Sequence, residues 1–174
     1  MPVHPALKPS FKPAFLQPVF QTAVLLSLSL CCGAASAATA CTLASTPLVF
    51  GAYDVFSPAS LDSSATLVLT CSRFGGPQNV AVSIGIGAGV HGGANAGRKM
   101  RAGSGQLLGY SLFRDAGRTA AWGDVVGLNT FTQTLAVPNQ SSAQLSVTVF
   151  GRIPPAQDVP AGVYSDSVTV TVMP

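Results

Sequence analysis

Three stretches of this chain hold residue types that can do chemistry. The first is Gly87-x-Gly89-x-x-Gly92, a formal GxGxxG directly after an alternating apolar run. That spacing lets a backbone wrap a pyrophosphate, but only where a helix N-terminus follows to face it. Here Gly93 to Gly97 (GANAG) and then Arg98-Lys99-Met100-Arg101 follow, which make no such helix, so the stretch reads as a strand-to-strand connection. His91 lies inside it, far from any G-x-S-x-G nucleophile motif, and reads as a solvated loop histidine. The second is the set of carboxylates Asp54, Asp62, Asp115, Asp124, Asp158 and Asp166. Glycoside chemistry would need a defined pair among them, and no spacing selects one; aspartates in turns ordinarily serve Asx turns. No catalytic, cofactor or metal site is expected. The third is the cationic run Arg98, Lys99 and Arg101, which could hold phosphate or an acidic glycan, together with Trp122, which could stack on a sugar. These four are the candidate surface-binding residues. Their plainer readings are a solvated loop that shields a sheet edge and an indole packed in the core or against a turn.

The elements that must position these residues begin after a leader. Met1 to Gln21 carries Lys8, Lys12 and His4 and no acid, Ala23 to Cys32 is an uncharged apolar run, and Ala35-Ser36-Ala37 is an A-x-A site. This order describes a secretory signal peptide over residues 1–37 with cleavage at Ala37. Its apolar run is too short to span a bilayer, which takes about 20 residues. The expected domain is therefore residues 38–174, exported, with no membrane span after cleavage. Of nine Lys and Arg residues, seven remain in it against six Asp, a balance that calls for no nucleic acid partner. Cys31 and Cys32 leave with the leader. Cys41 and Cys71 remain as an even pair in an oxidising compartment, where a Cys41–Cys71 disulfide is expected in preference to a lipidated Cys41 or a two-cysteine metal site.

Within the domain, period-2 alternation dominates and no long window has a helical period. Strands are expected at Pro47–Phe50, Ala65–Cys71, Asn79–Gly87, Leu107–Arg114, Thr132–Val137, Ala143–Phe150 and along the closing stretch Gly162–Pro174 (GVYSDSVTVTVMP). Six or seven short strands separated by Gly and Pro signals define an all-β sandwich or barrel. In the closing strand Tyr164, Val168, Val170 and Val172 share one face, and nothing in the sequence follows to cover its free side.

With strands and cysteines placed, the sequence resembles the spore coat U domain family, the secreted β-sandwich subunits of archaic, Csu-type chaperone–usher pili. The resemblance runs through Cys41-Thr42-Leu43, Pro47 to Tyr53 (PLVFGAY), Leu69-Thr70-Cys71, Leu108 to Asp115 (LGYSLFRD), Trp122-Gly123-Asp124, Val149 to Pro154 (VFGRIP) and Gln157 to Val172. It implies an incomplete immunoglobulin-like sandwich whose missing strand is supplied by a partner. It also implies a structural and adhesive role in attachment and biofilm formation, with no enzyme activity or cofactor. The implied partners are a periplasmic chaperone, an outer-membrane usher and sister pilin subunits, and the implied location is the periplasm in transit, then the cell surface. Tyr164, Val168, Val170 and Val172 would then line a groove meant for another chain. Because only Ala38-Thr39-Ala40 separate the cleavage point from Cys41, a subunit that accepts a strand without giving one, at a fibre end, is expected. A free secreted or spore-coat β-sandwich binding domain, with glycan as one candidate ligand, is the alternative.

Overall fold

A computed structural model describes residues 38–93 and 97–173, so the leader and Ala37 lie outside the described residues. The described chain forms nine strands and no helix: β1 Thr39–Ser45, β2 Leu61–Arg73, β3 Gln78–Ile86, β4 Arg98–Ala102, β5 Leu107–Phe113, β6 Phe131–Val137, β7 Ser141–Ile153, β8 Tyr164–Ser165 and β9 Val170–Met173. They make two antiparallel sheets, one of six strands in the order β1-β2-β7-β5-β4-β8 and one of three in the order β6-β3-β9.

Alternation dictates which faces meet. In β2, Leu67, Leu69 and Cys71 are buried while Thr66, Val68 and Thr70 stay partly exposed. In β3, Val80, Val82, Ile84 and Ile86 are buried, and in β7 Leu145, Val147 and Val149. Successive side chains of a strand point to opposite faces, so each of these sets lies on one side of its sheet, and the two inner sides meet to form the core. Cys41 and Cys71 are cross-strand partners in the β1–β2 register and form the disulfide. The bridge thus fastens an edge strand to its own sheet.

Four sequence expectations change. Pro47–Phe50 pairs with no strand; its alternation is real, with Leu48 and Phe50 turned to the core, but no strand shares a main-chain ladder with it. Thr39–Ser45, where no strand is expected, forms β1. Arg98–Arg101, expected to be a loop, is most of β4 and pairs with β5. The closing stretch is two strands: β8 pairs with β4 in the large sheet, and β9 pairs with β3 in the small one. Between them, residues 166–169 carry the chain from one sheet to the other.

Candidate functional site

That crossing leaves a gap. β9 is the last strand of the small sheet, paired with β3 on one side only. Gly87 donates its N–H to the carbonyl of Thr169 at 2.9 Å, and Thr171 is the partner of Gly85. Main-chain groups alternate from side to side along an antiparallel strand. The Thr169 carbonyl and Thr171 therefore bond toward β3, and the N–H and C=O groups of Val170 and Val172 point to the opposite, free side. Ile86, opposite Val170, fits this alternation, since its N–H turns away from β9 to the carbonyl of Gly123.

Beside this edge lies a groove of about 910 Å³. Its floor is apolar: Leu67 of β2, Val149 of β7, Leu108 and Leu112 of β5, Met100 of β4 and Ile86 of β3. One wall is the stretch 159–170, which includes Tyr164, Val168 and Val170; the other is residues 45–56. The second wall is seated by Leu48 and Phe50, which lie over Gly151 of β7. A Cβ at Gly151 would come within 2.8 Å of the Phe50 ring, so glycine lets the two side chains seat this closely. The Phe50 ring also meets Tyr110 edge-on at 6.0 Å. A space of this size could take a small molecule. The row of main-chain groups along its rim instead fits an extended chain, which uses such groups throughout its length.

At one end the groove meets a polar network. Tyr110 donates its hydroxyl to Asp166 at 2.8 Å, and the Val90 N–H reaches the other oxygen of the same carboxylate at 3.0 Å. Burial, and then this bond to Asp166, push the Tyr110 phenol well above its ordinary value, so it stays a donor at every physiological pH. Behind it, Arg98 donates to the carbonyls of Ile86 at 2.6 Å, Gly87 at 2.8 Å and Trp122 at 2.8 Å. Burial pulls the Arg98 guanidinium below its ordinary value, against the opposing pull of Tyr110, Asp124 and Asp166; an arginine remains charged all the same. Trp122 is fully buried, with its indole N–H on the carbonyl of Ile84 at 2.9 Å.

The residues singled out in the sequence therefore separate. Tyr164, Val168 and Val170 border the groove together. Val172 does not: it pairs with Ile84 and packs on the closed part of the core. Lys99 and Arg101 are exposed on β4, but Arg98 is 1 % exposed and Trp122 0 % exposed. Neither can meet a surface ligand, because both side chains are buried inside the domain. Sequence reasoning missed the wall at residues 45–56 and the network around Asp166. The signal for the first was an alternating PLVF with no hairpin partner nearby; the second had no local signal.

An immunoglobulin-like β-sandwich with an open edge on its last strand is the class of protein this architecture defines. A family model for the Spore Coat Protein U domain matches residues 27–171, and the chain belongs to that family. It is 32% identical over 123 residues to "Protein U" of Myxococcus xanthus, an alignment covering 68% of this chain and 60% of that protein. The chain thus matches about three fifths of the length of this relative. Among solved structures, it is similar in fold to a chain of the CsuC–CsuE chaperone–tip adhesion subunit pre-assembly complex from the archaic chaperone-usher Csu pili of Acinetobacter baumannii. There the TM-score is 0.52 at 21% identity, over 78% of this chain and 39% of that one.

Proposed function

We propose that this chain is a non-catalytic subunit of a chaperone–usher surface pilus, and that its groove takes a strand from another chain. One observation carries the reading: β9 has a free edge at Val170 and Val172, and Val170 borders an apolar groove. An uncovered edge of this kind invites aggregation, and an added strand would satisfy its hydrogen bonds while filling the groove. In transit the strand would come from a periplasmic chaperone. At the usher it would be exchanged for one from a sister subunit. Family membership and the fold of the Csu complex support this assignment. A role in attachment and biofilm formation, a place at the fibre end, and a leader cleaved after Ala37 are further parts of the same proposal. Among the described residues no helix is long and apolar enough to cross a membrane. A free glycan-binding domain has less support, since Arg98 and Trp122 are inside the fold.

The test is co-production with and without a pilus chaperone. The reading expects a soluble one-to-one complex with the chaperone, and a much lower soluble yield of the chain without it. A soluble, stable monomer made alone, with no affinity for the chaperone, contradicts it.

A further inference from the structure

The two walls of the groove come from distant parts of the sequence, yet they are joined. Tyr53, on the wall formed by residues 45–56, donates its hydroxyl to the carbonyl of Pro154 at 3.1 Å and accepts the N–H of Gln157 at 3.0 Å. Pro154 and Gln157 begin the segment that continues into the opposite wall at Val159. That segment is itself fixed by an unusual contact. The Gln157 side chain lies against Gly109 of β5 as a neighbouring strand would: the Gly109 N–H donates to Oε1 at 2.7 Å, and Nε2 donates to the Gly109 carbonyl at 2.9 Å. Nε2 also reaches the Pro154 carbonyl at 3.2 Å.

The need for this arrangement follows from the chain around it. β7 ends at Ile153, and Pro154-Pro155 cannot continue a ladder, since proline has no N–H to give. β5 would be left with an unpaired N–H and C=O at Gly109, and one side-chain amide supplies both partners. A Cβ at Gly109 would stand 2.9 Å from Oε1, so glycine lets the amide lie this close to the strand. Ala156, at φ +60°, holds the turn that brings Gln157 back.

We propose that Tyr53 and Gln157 are positioning residues that fix the two walls of the groove at a set separation before any strand arrives. The inference rests on the strand-accepting reading above. It goes further in assigning the empty groove a built-in brace. A groove held open pays no ordering cost when the strand enters, so the brace acts on the rate of association. Once a strand is in place, its own hydrogen bonds to β9 and its side chains in the groove hold the walls, and the brace adds little.

The test uses the mature, oxidised chain and a labelled peptide of about nine residues alternating Val and Thr with a terminal Lys. Association and release are followed by fluorescence anisotropy. Tyr53→Phe keeps the ring in place and removes both hydroxyl bonds; Gln157→Met keeps the length and removes the amide. Each is expected to slow association about tenfold, the equivalent of one or two ordinary hydrogen bonds, with release changed less than about threefold. Gln157→Asn is expected not to rescue, because the shorter amide cannot reach both groups of Gly109. A merely structural role would instead lower the melting temperature and speed release, with association unchanged, and that result overturns the brace. Should one variant fail to fold, the other decides by the same two rates. If the unaltered chain takes up no peptide at all, the strand-accepting reading fails and the brace with it. If it takes up peptide and both variants associate at the unaltered rate, the brace alone fails.

Discussion

Nη2 of Arg98 lies 2.8 Å from the carbonyl oxygen of Trp122 and 2.6 Å from that of Ile86. One buried cation thus ties the end of β3, the start of β4 and the chain leading to β6. Removing it leaves three buried or partly buried carbonyls without this donor, and each orphaned group costs about 1–3 kcal/mol. Arg98→Leu is expected to lower stability by roughly 3 kcal/mol or more in chemical denaturation. Lys99→Leu, one residue on and exposed, is expected to change it by less than about 0.5 kcal/mol. Equal, small effects from the two would show that the guanidinium is not the tie.

The disulfide gives a second expectation. Cys41 and Cys71 close a loop with a sequence separation of 30. In the chain-entropy picture such a bridge is worth about 3–4 kcal/mol. Exported protein should have the mass of the bridged form under non-reducing conditions, and Cys41→Ala with Cys71→Ala should unfold at lower denaturant by that amount. Two free thiols in exported protein would remove the basis of this expectation.

A third concerns pH. Asp62 accepts two bonds from Arg152, at 2.7 and 2.9 Å, and stands 3.3 Å from Arg118. The bond from Arg152, opposed by partial burial and helped by the charge of Arg118, holds the carboxyl below its ordinary 3.8. A carboxylate depressed in the folded state contributes stability above its unfolded value and loses it as pH falls through the lower, folded one. The contribution is therefore present at neutral pH and lost below about pH 4. The group is largely exposed, so the effect is small, about 0.5–1 kcal/mol. Asp62→Asn should lower stability at pH 7 by this much and match the unaltered chain near pH 2. Asp115, held down by the N–H of Ala120 and by Thr119, keeps some acid sensitivity in that variant. A constant difference between the two chains across the whole range would contradict the assignment.

A fourth expectation uses the two sides of β9. Val170 is half-buried and borders the groove, whereas Thr171 is exposed. Val170→Asp sets a charge against an apolar floor, at a cost of several kcal/mol, comparable to the whole stability of a small domain. It should abolish folding or chaperone capture, while Thr171→Asp should leave both intact. The reverse outcome would show that the faces of β9 have been exchanged.

How much of this could be read in the sequence differs from residue to residue. Val80, Val82, Ile84 and Ile86 announce β3 because alternation is a local property of a strand with one buried face. The closing stretch shows the limit of that signal. Tyr164, Val168 and Val170 keep their period while residues 166–169 pass from one sheet to the other, so the pattern alone reads as one strand. Arg98 was legible as a charge but not as a buried one. Its acceptors on Ile86, Gly87 and Trp122 are brought together only by the fold. Gln157 standing in for a strand beside Gly109 is likewise a consequence of where β7 stops.

The central claim is that the free edge of β9 awaits a strand, and amide exchange at Val170 and Val172 tests it most directly. In the chain from Ala38 onward, alone, these two N–H groups should exchange fast, while that of Thr171, on the β3 side, is protected. With the alternating Val-Thr peptide bound, Val170 and Val172 should slow by at least about a hundredfold, as amides do on entering a stable ladder. If both are already protected in the chain alone, or stay fast when peptide is bound, the edge is not the acceptor and the account is wrong.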